Sequence, residues 1–166
     1  MPILPFPPTG EPAMDQRTAP PSPRFVDDYL LSLLARASHV VSSEFHERLR
    51  QRGVTVPVWR VLATLSGGRG ETVSSLASAC LLQQPTMTKV LDRMERDGLV
   101  RRKQDAEDRR LVRIHATPRG EATVAELLVA ARQHEAEILA RHPEAERIKD
   151  LLRALIARQS VRRRGR

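Results

Sequence analysis

The 166-residue chain carries one cysteine, Cys80, so no intrachain disulfide can staple it and no thiolate cluster can hold a metal. Only five residues are aromatic: three Phe, one Tyr and one Trp. No stretch approaches the ~20 apolar residues of a membrane-spanning helix, so no membrane role is expected. Met1 to Gly10 lacks the cationic start and apolar core of an export signal, and a cytoplasmic location is expected. No Ser/His/Asp set, carboxylate pair or cofactor loop stands out, which argues against an enzyme and against any cofactor. Gly67-Gly68-Arg69-Gly70 has neither the lysine and hydroxyl that should follow a phosphate loop nor a buried strand before it, and reads as a turn. His46, His115, His134 and His142 show no spacing that puts ligands on one helical face, and no structural metal is expected.

What is present is 40% hydrophobic and 29% charged residues with a formal charge of +8. That balance describes a soluble globular chain of one-domain size. The charge is unevenly spread. Residues 1–24 balance to zero, while the last nine residues bring five arginines and no acid. Residues 25–157 therefore hold +3, and bulk charge alone does not establish nucleic-acid binding.

Eight of the twelve prolines fall in residues 1–23, so 1–24 is expected to be a disordered leader. Apolar residues at three- and four-residue spacing from Phe25 through Leu49 predict one long helix that stops before Gly53. Shorter helices follow at Pro57–Ser66, Glu71–Cys80 and Pro85–Asp97, the last ended by Gly98. Two short β-compatible runs, Leu99–Lys103 and Leu111–His115, flank a polar tip and predict a two-stranded wing. Thr117-Pro118 is an N-cap and first-turn signature for a helix reaching Pro143, and Glu144–Gln159 forms the last. The expected fold is mainly α with a small β wing, a winged helix-turn-helix. Its lobe is 57–117, residues 25–56 and 118–160 form dimerisation helices, and 161–166 are a basic tail.

Two short helices joined by a tight turn, the second with hydroxyls and cations opposite its apolar stripe, suit a DNA major groove. Gln84, Thr86, Thr88, Lys89 and Arg93 are the expected contacts of that recognition helix. Asp92, Glu95 and Asp97 would repel phosphate if the helix lay flat, so its N-terminal end should enter the groove. Asp108, Arg109 and Arg110 at the hairpin tip follow, and an arginine there suits a narrow minor groove, with Asp108 orienting it through a charge-assisted hydrogen bond. A surface of this kind fits DNA better than it fits a protein. A winged-helix protein-protein interaction module without specific DNA binding is the competing reading.

Residues Val58–Leu62, Pro85–Val100, Asp105–Arg110 and Thr117-Pro118-Arg119-Gly120, in that order, make the chain resemble the multiple antibiotic resistance regulator (MarR) family of bacterial winged-helix regulators. The likeness covers about residues 28–157. It implies a homodimer whose first and last two helices intertwine, and a repressor released from DNA by a small phenolic or carboxylate molecule or by cysteine oxidation. Ala116 stands where the family usually has leucine, and the first helix lacks the cysteine of oxidation-sensing members, which disfavours peroxide sensing. The dimer also follows from apolar helices at both ends of the chain, whose faces would otherwise stay exposed. Two-fold symmetry would then set the recognition helices ~34 Å apart, on an inverted-repeat operator in double-stranded DNA.

Ser38, His39 and Trp59 are candidates to line an effector pocket, since an aromatic face with a few polar groups suits a planar acid. The spacing favours Trp59 as an ordinary core aromatic over that role, and Cys80, on the apolar stripe of its helix, reads as a buried inert thiol. The arginine tail reads as a solvated terminus.

Overall fold

The computed structural model describes residues 24–164, with side chains described through Arg158; the proline-rich leader to residue 23 and the side chains of the basic tail lie outside the described residues. The order is α1 Phe25–Asp28, α2 Leu30–Gln51, α3 Val56–Leu65, α4 Val73–Ala79, α5 Gln84–Arg96, β1 Val100–Gln104, β2 Val112–Ala116, α6 Pro118–Arg141 and α7 Ala145–Arg164. The strands pair antiparallel, from Val100 opposite Ala116 to Gln104 opposite Val112. This is the mainly helical winged helix-turn-helix that the periodicity predicts. Among the described residues no helix is long and apolar enough to cross a membrane.

Two compact units divide at Ala37 and Ser38. In the first, the long helix expected from Phe25 is broken at Tyr29, whose backbone is extended (φ −75°, ψ 119°). Local contacts surround the break. The Phe25 and Tyr29 rings stack at 4.9 Å, and Asp27 takes the guanidiniums of Arg24 and Arg36 at 3.2 and 3.4 Å.

In the second unit, α3, α4, α5, both strands and α6 enclose one core. Leu62, Leu76, Met87, Leu91, Met94 and Ile114 are all fully buried in it. At ~1.5–3 kcal/mol for each large side chain taken from water, this cluster is the main support of the lobe. A smaller cluster of Phe45, Leu49 and Leu127 joins α2 to α6, and Trp59 packs against both clusters. Trp59 is half-buried and meets Phe45 edge to face at 5.2 Å.

Several boundaries differ from the sequence expectation for local reasons. Glu71 is not helical: it bridges to Ile114 beside the wing, and α4 opens instead after Thr72, whose hydroxyl accepts the Ser75 N–H. Helices α3 and α5 each open one residue before their proline, at Val56 and Gln84. The last helix runs past the expected boundary at 160 to Arg164. Thr117 caps α6 as predicted, accepting the Gly120 N–H at 3.1 Å while donating to the Gly98 carbonyl at 2.6 Å. Gly120 has no room for a side chain, because a Cβ there would overlap the Leu99 carbonyl oxygen.

Candidate nucleic-acid interface

The turn between α4 and α5 is a Schellman closure: Leu82 N–H reaches the Ala77 carbonyl and Leu81 N–H the Ser78 carbonyl, at 2.9 and 3.2 Å. The same closure ends α5 at Gly98. At the first closure the left-handed position is held by Leu81 (φ 57°), which is 80% exposed. A branched residue there costs about 1 kcal/mol. Leu81→Gly is therefore expected to raise stability by up to ~1 kcal/mol in thermal or urea unfolding. A drop would show that the leucine is packed.

Burial of Met87, Leu91 and Met94 fixes the rotation of α5. All five residues named from sequence are exposed: Thr86, Lys89 and Arg93 lie away from the buried stripe, Thr88 flanks it, and Gln84 stands at the helix start beyond its buried part. Thr88 donates its hydroxyl proton to the Gln84 carbonyl at 3.1 Å, which leaves its oxygen lone pair and methyl facing outward. Arg93 stands 3.8 Å from Asp97 and is partly committed to it. The first turn of α5 contains no acid, and the Gln84 and Thr86 amides have no carbonyl before them to bond within the helix.

Two of the acids expected to repel phosphate, Asp92 and Glu95, are partly offset by one arginine. Arg102 of β1 donates to Asp92 at 2.7 Å and forms a second ion pair with Glu95. Glu95 also accepts the Arg102 backbone N–H at 3.2 Å. One guanidinium thus ties the recognition helix to the wing and offsets one of the two negative charges on the face below it.

At the tip the expected role of Asp108 is corrected. Its carboxylate accepts the Arg110 backbone N–H at 2.9 Å and orients no arginine side chain. The orienting carboxylate is Asp105, which accepts the N–H groups of Glu107 and Asp108, both at 2.9 Å, and pairs with Arg113. The pair spans eight residues across the hairpin, and only the antiparallel register brings it together. Gln104 adds a bond from its amide to the Arg109 carbonyl at 2.9 Å. The tip backbone is therefore shaped without the Arg109 and Arg110 side chains. Among the described residues Lys89, Arg101, Lys103, Arg109 and Arg110 make no ion pair and are exposed.

The Arg113 guanidinium, then the Asp108 and Glu107 amides, hold the Asp105 carboxyl at about 2, below its ordinary 3.8. The folded form is favoured by a depressed carboxyl, so this contribution is complete above about pH 4 and disappears as pH falls through about 2. The Glu107 and Asp108 amide resonances should keep their shifts from pH 8 to 5 and lose their protection between 4 and 2. At pH 7, Asp105→Asn should reproduce that loss. Unchanged amide exchange in the variant would contradict the role given to Asp105. Half-buried His115 sits at the root of the wing; burial, then Lys103, Arg101 and Arg113, push its pKa down.

The remaining candidates lie apart from this face. Ser38 and His39 are exposed on α2, and neither hydrogen-bonds to Trp59. Ser38 precedes Phe45, the neighbour of Trp59, by two helical turns. Cys80 is buried, and burial pushes its thiol pKa up despite opposing effects of Thr64 and Arg60, as expected of an inert thiol.

Comparison with known proteins agrees with this geometry. A family profile described as MarR family matches residues 54–112. The homoprotocatechuate degradative operon repressor of Escherichia coli is 30% identical over 134 residues, covering 78% of this chain and 89% of the relative. A crystal structure of a MarR family transcriptional regulator from Silicibacter pomeroyi DSS-3 superposes with a TM-score of 0.75 at 39% identity, covering 81% of this chain and 98% of the other. A Mycobacterium tuberculosis MarR family protein solved with salicylic acid aligns at a TM-score of 0.62 and 29% identity, covering 76% and 96%.

Proposed function

The chain belongs to the MarR family of DNA-binding transcriptional regulators, and from that premise we propose that it is a homodimeric repressor of an inverted-repeat operator, relieved by a small aromatic or carboxylate ligand. The observation that carries the reading is the outer face of α5 together with the wing. Lys89, Arg101, Lys103, Arg109 and Arg110 offer uncommitted positive charge there, and Arg102 offsets part of the charge of two acids that would oppose phosphate. Gln84, Thr86, Thr88 and Lys89 would meet base edges and phosphates from the N-terminal end of α5, with Arg93 at the backbone. Arg109 and Arg110 would reach the adjacent minor groove, with Asp108 shaping the turn that presents them.

Pairing of two copies is supported by apolar side chains that the single chain leaves in water. In the first unit these include Phe25, Leu30 and Leu31, and in the second Val129, Ile148 and Leu151, each more than half exposed. Ligand relief is supported by the half-exposed ring of Trp59 and by the salicylic acid bound to the mycobacterial relative. Ser38, His39 and Trp59 are the proposed contacts of the effector.

Selection of bound sequences from random duplex DNA tests this reading. Purified protein should enrich an inverted repeat with half-sites about one helical turn apart, and its mass in solution should be about twice 18.7 kDa. Weak binding without enrichment, steeply dependent on salt, would overturn it and leave the protein-binding module as the explanation.

A further inference from the structure

His134 of α6 is the one buried polar or charged side chain among the described residues, 7% exposed. Its ring stacks on Phe45 at 5.9 Å, and Nε2 lies 3.0 Å from the Val41 carbonyl oxygen of α2. A carbonyl only accepts, so Nε2 carries the hydrogen and donates it. The other nitrogen, Nδ1, is buried with no hydrogen-bond partner. It faces Glu44 Oε2 at 3.8 Å, an acceptor opposite an acceptor, and needs something positive between them. The Glu137 carboxylate, one helical turn along α6, completes a group whose three ligand atoms all lie within 4.8 Å of one another.

We propose that Glu44, His134 and Glu137 form a binding site for a first-row divalent transition ion of the zinc class, clamping α2 to α6. The imidazole selects such an ion over magnesium or calcium, which prefer oxygen alone. The Nε2–H bond to Val41 is the outer contact that metal-ligating histidines commonly make, fixing the tautomer and aiming Nδ1. Tetrahedral zinc with bonds of ~2.0–2.1 Å holds its ligand atoms ~3.3 Å apart, so the group must contract by about an ångström. Glu44 and Glu137 are 55% and 37% exposed at the side chain and are free to make that movement. Arg48 occupies one oxygen of Glu137 at 3.0 Å and leaves the other, while Arg141 is no nearer Glu44 than 3.8 Å. A groove of about 810 Å³, lined in part by Glu44, Arg48, Glu137 and Arg141, gives an ion access and room for water as a fourth ligand. The expectation from sequence of no structural metal rests on the spacing of the histidines among themselves; this cluster instead joins one histidine to Glu137, one turn along the same helix, and to Glu44 of α2. It is remote in sequence from α5 and the wing, and its test does not depend on the DNA reading.

The full chain, stripped with a chelator, is titrated with Zn²⁺ against a chromophoric competitor and with Co²⁺ followed by visible absorption. The imidazole ¹⁵N resonances are recorded in parallel. The expected result is one ion per chain, a cobalt–ligand band, and a metal-induced shift of His134 Nδ1. The double variant E44Q/E137Q should lose roughly tenfold or more in affinity, whereas His142→Ala, an exposed histidine, should lose none. Equal affinity in wild type and E44Q/E137Q overturns the proposal. A His134 signal that moves with pH but not with either ion also overturns it, since a proton alone then fills the gap.

Discussion

Replacing Arg109 and Arg110 together with alanine is expected to lower affinity for the selected operator roughly 100-fold at fixed salt, about a factor of ten for each arginine. The slope of log affinity against log salt should fall by about two units if both contact phosphate. The loss should be similar across operator sequences, because the wing reads groove shape and potential more than base edges. Thermal stability should stay unchanged. Both side chains are exposed, and the turn is held by Asp105, Asp108 and Gln104. Titration of labelled duplex by anisotropy at several salt concentrations checks all of this, and unchanged affinity would remove the wing from the interface.

The second large effect concerns the joint between the wing and α6. A Cβ at Gly120 would meet the Leu99 carbonyl oxygen, with Leu62 Cδ2 3.3 Å away on the core side. The Leu99 peptide cannot easily retreat, because its N–H bonds to Met94 at 2.8 Å and its carbonyl accepts the Thr117 N–H at 3.0 Å. Gly120→Ala should therefore cost at the upper end of the ~1–3 kcal/mol typical of overpacking, or roughly 6–12 °C in Tm. Exposed Glu121→Ala should stay within about 0.5 kcal/mol. Calorimetry of the two variants side by side separates steric overlap from a general intolerance of change at this helix start.

What was legible in the sequence was whatever repeats locally. The apolar spacing of α3 and α5 marks one face of each, and Val61, Leu62, Met87, Leu91 and Met94 on those faces are buried, with Val58 and Val90 half-buried at their edges. Gly98, Thr117 and Pro118 marked element ends because their backbone or capping preference acts within a few residues. The contacts missed were long in sequence and short in space. Arg102 reaches Asp92 and Glu95 only because β1 turns back along α5. Asp105 finds Arg113 only through the hairpin register, and Glu44 meets His134 and Glu137 only where α2 packs on α6. The break at Tyr29 falls where periodicity predicts a continuous helix, because the apolar spacing carries on through it and gives no signal of the extended backbone there. Asp108 adjoins the two arginines in sequence, yet its carboxylate serves the backbone.

The measurement that tests the central claim most directly is the random-duplex selection repeated with Thr88→Ala and Lys89→Ala beside the parent protein. If the N-terminal end of α5 reads bases, each variant should enrich sequences changed at the same positions in both half-sites, with spacing and symmetry kept. Enrichment of the parent sequence by both variants, at unchanged affinity, would contradict the assignment of α5 as the reading helix.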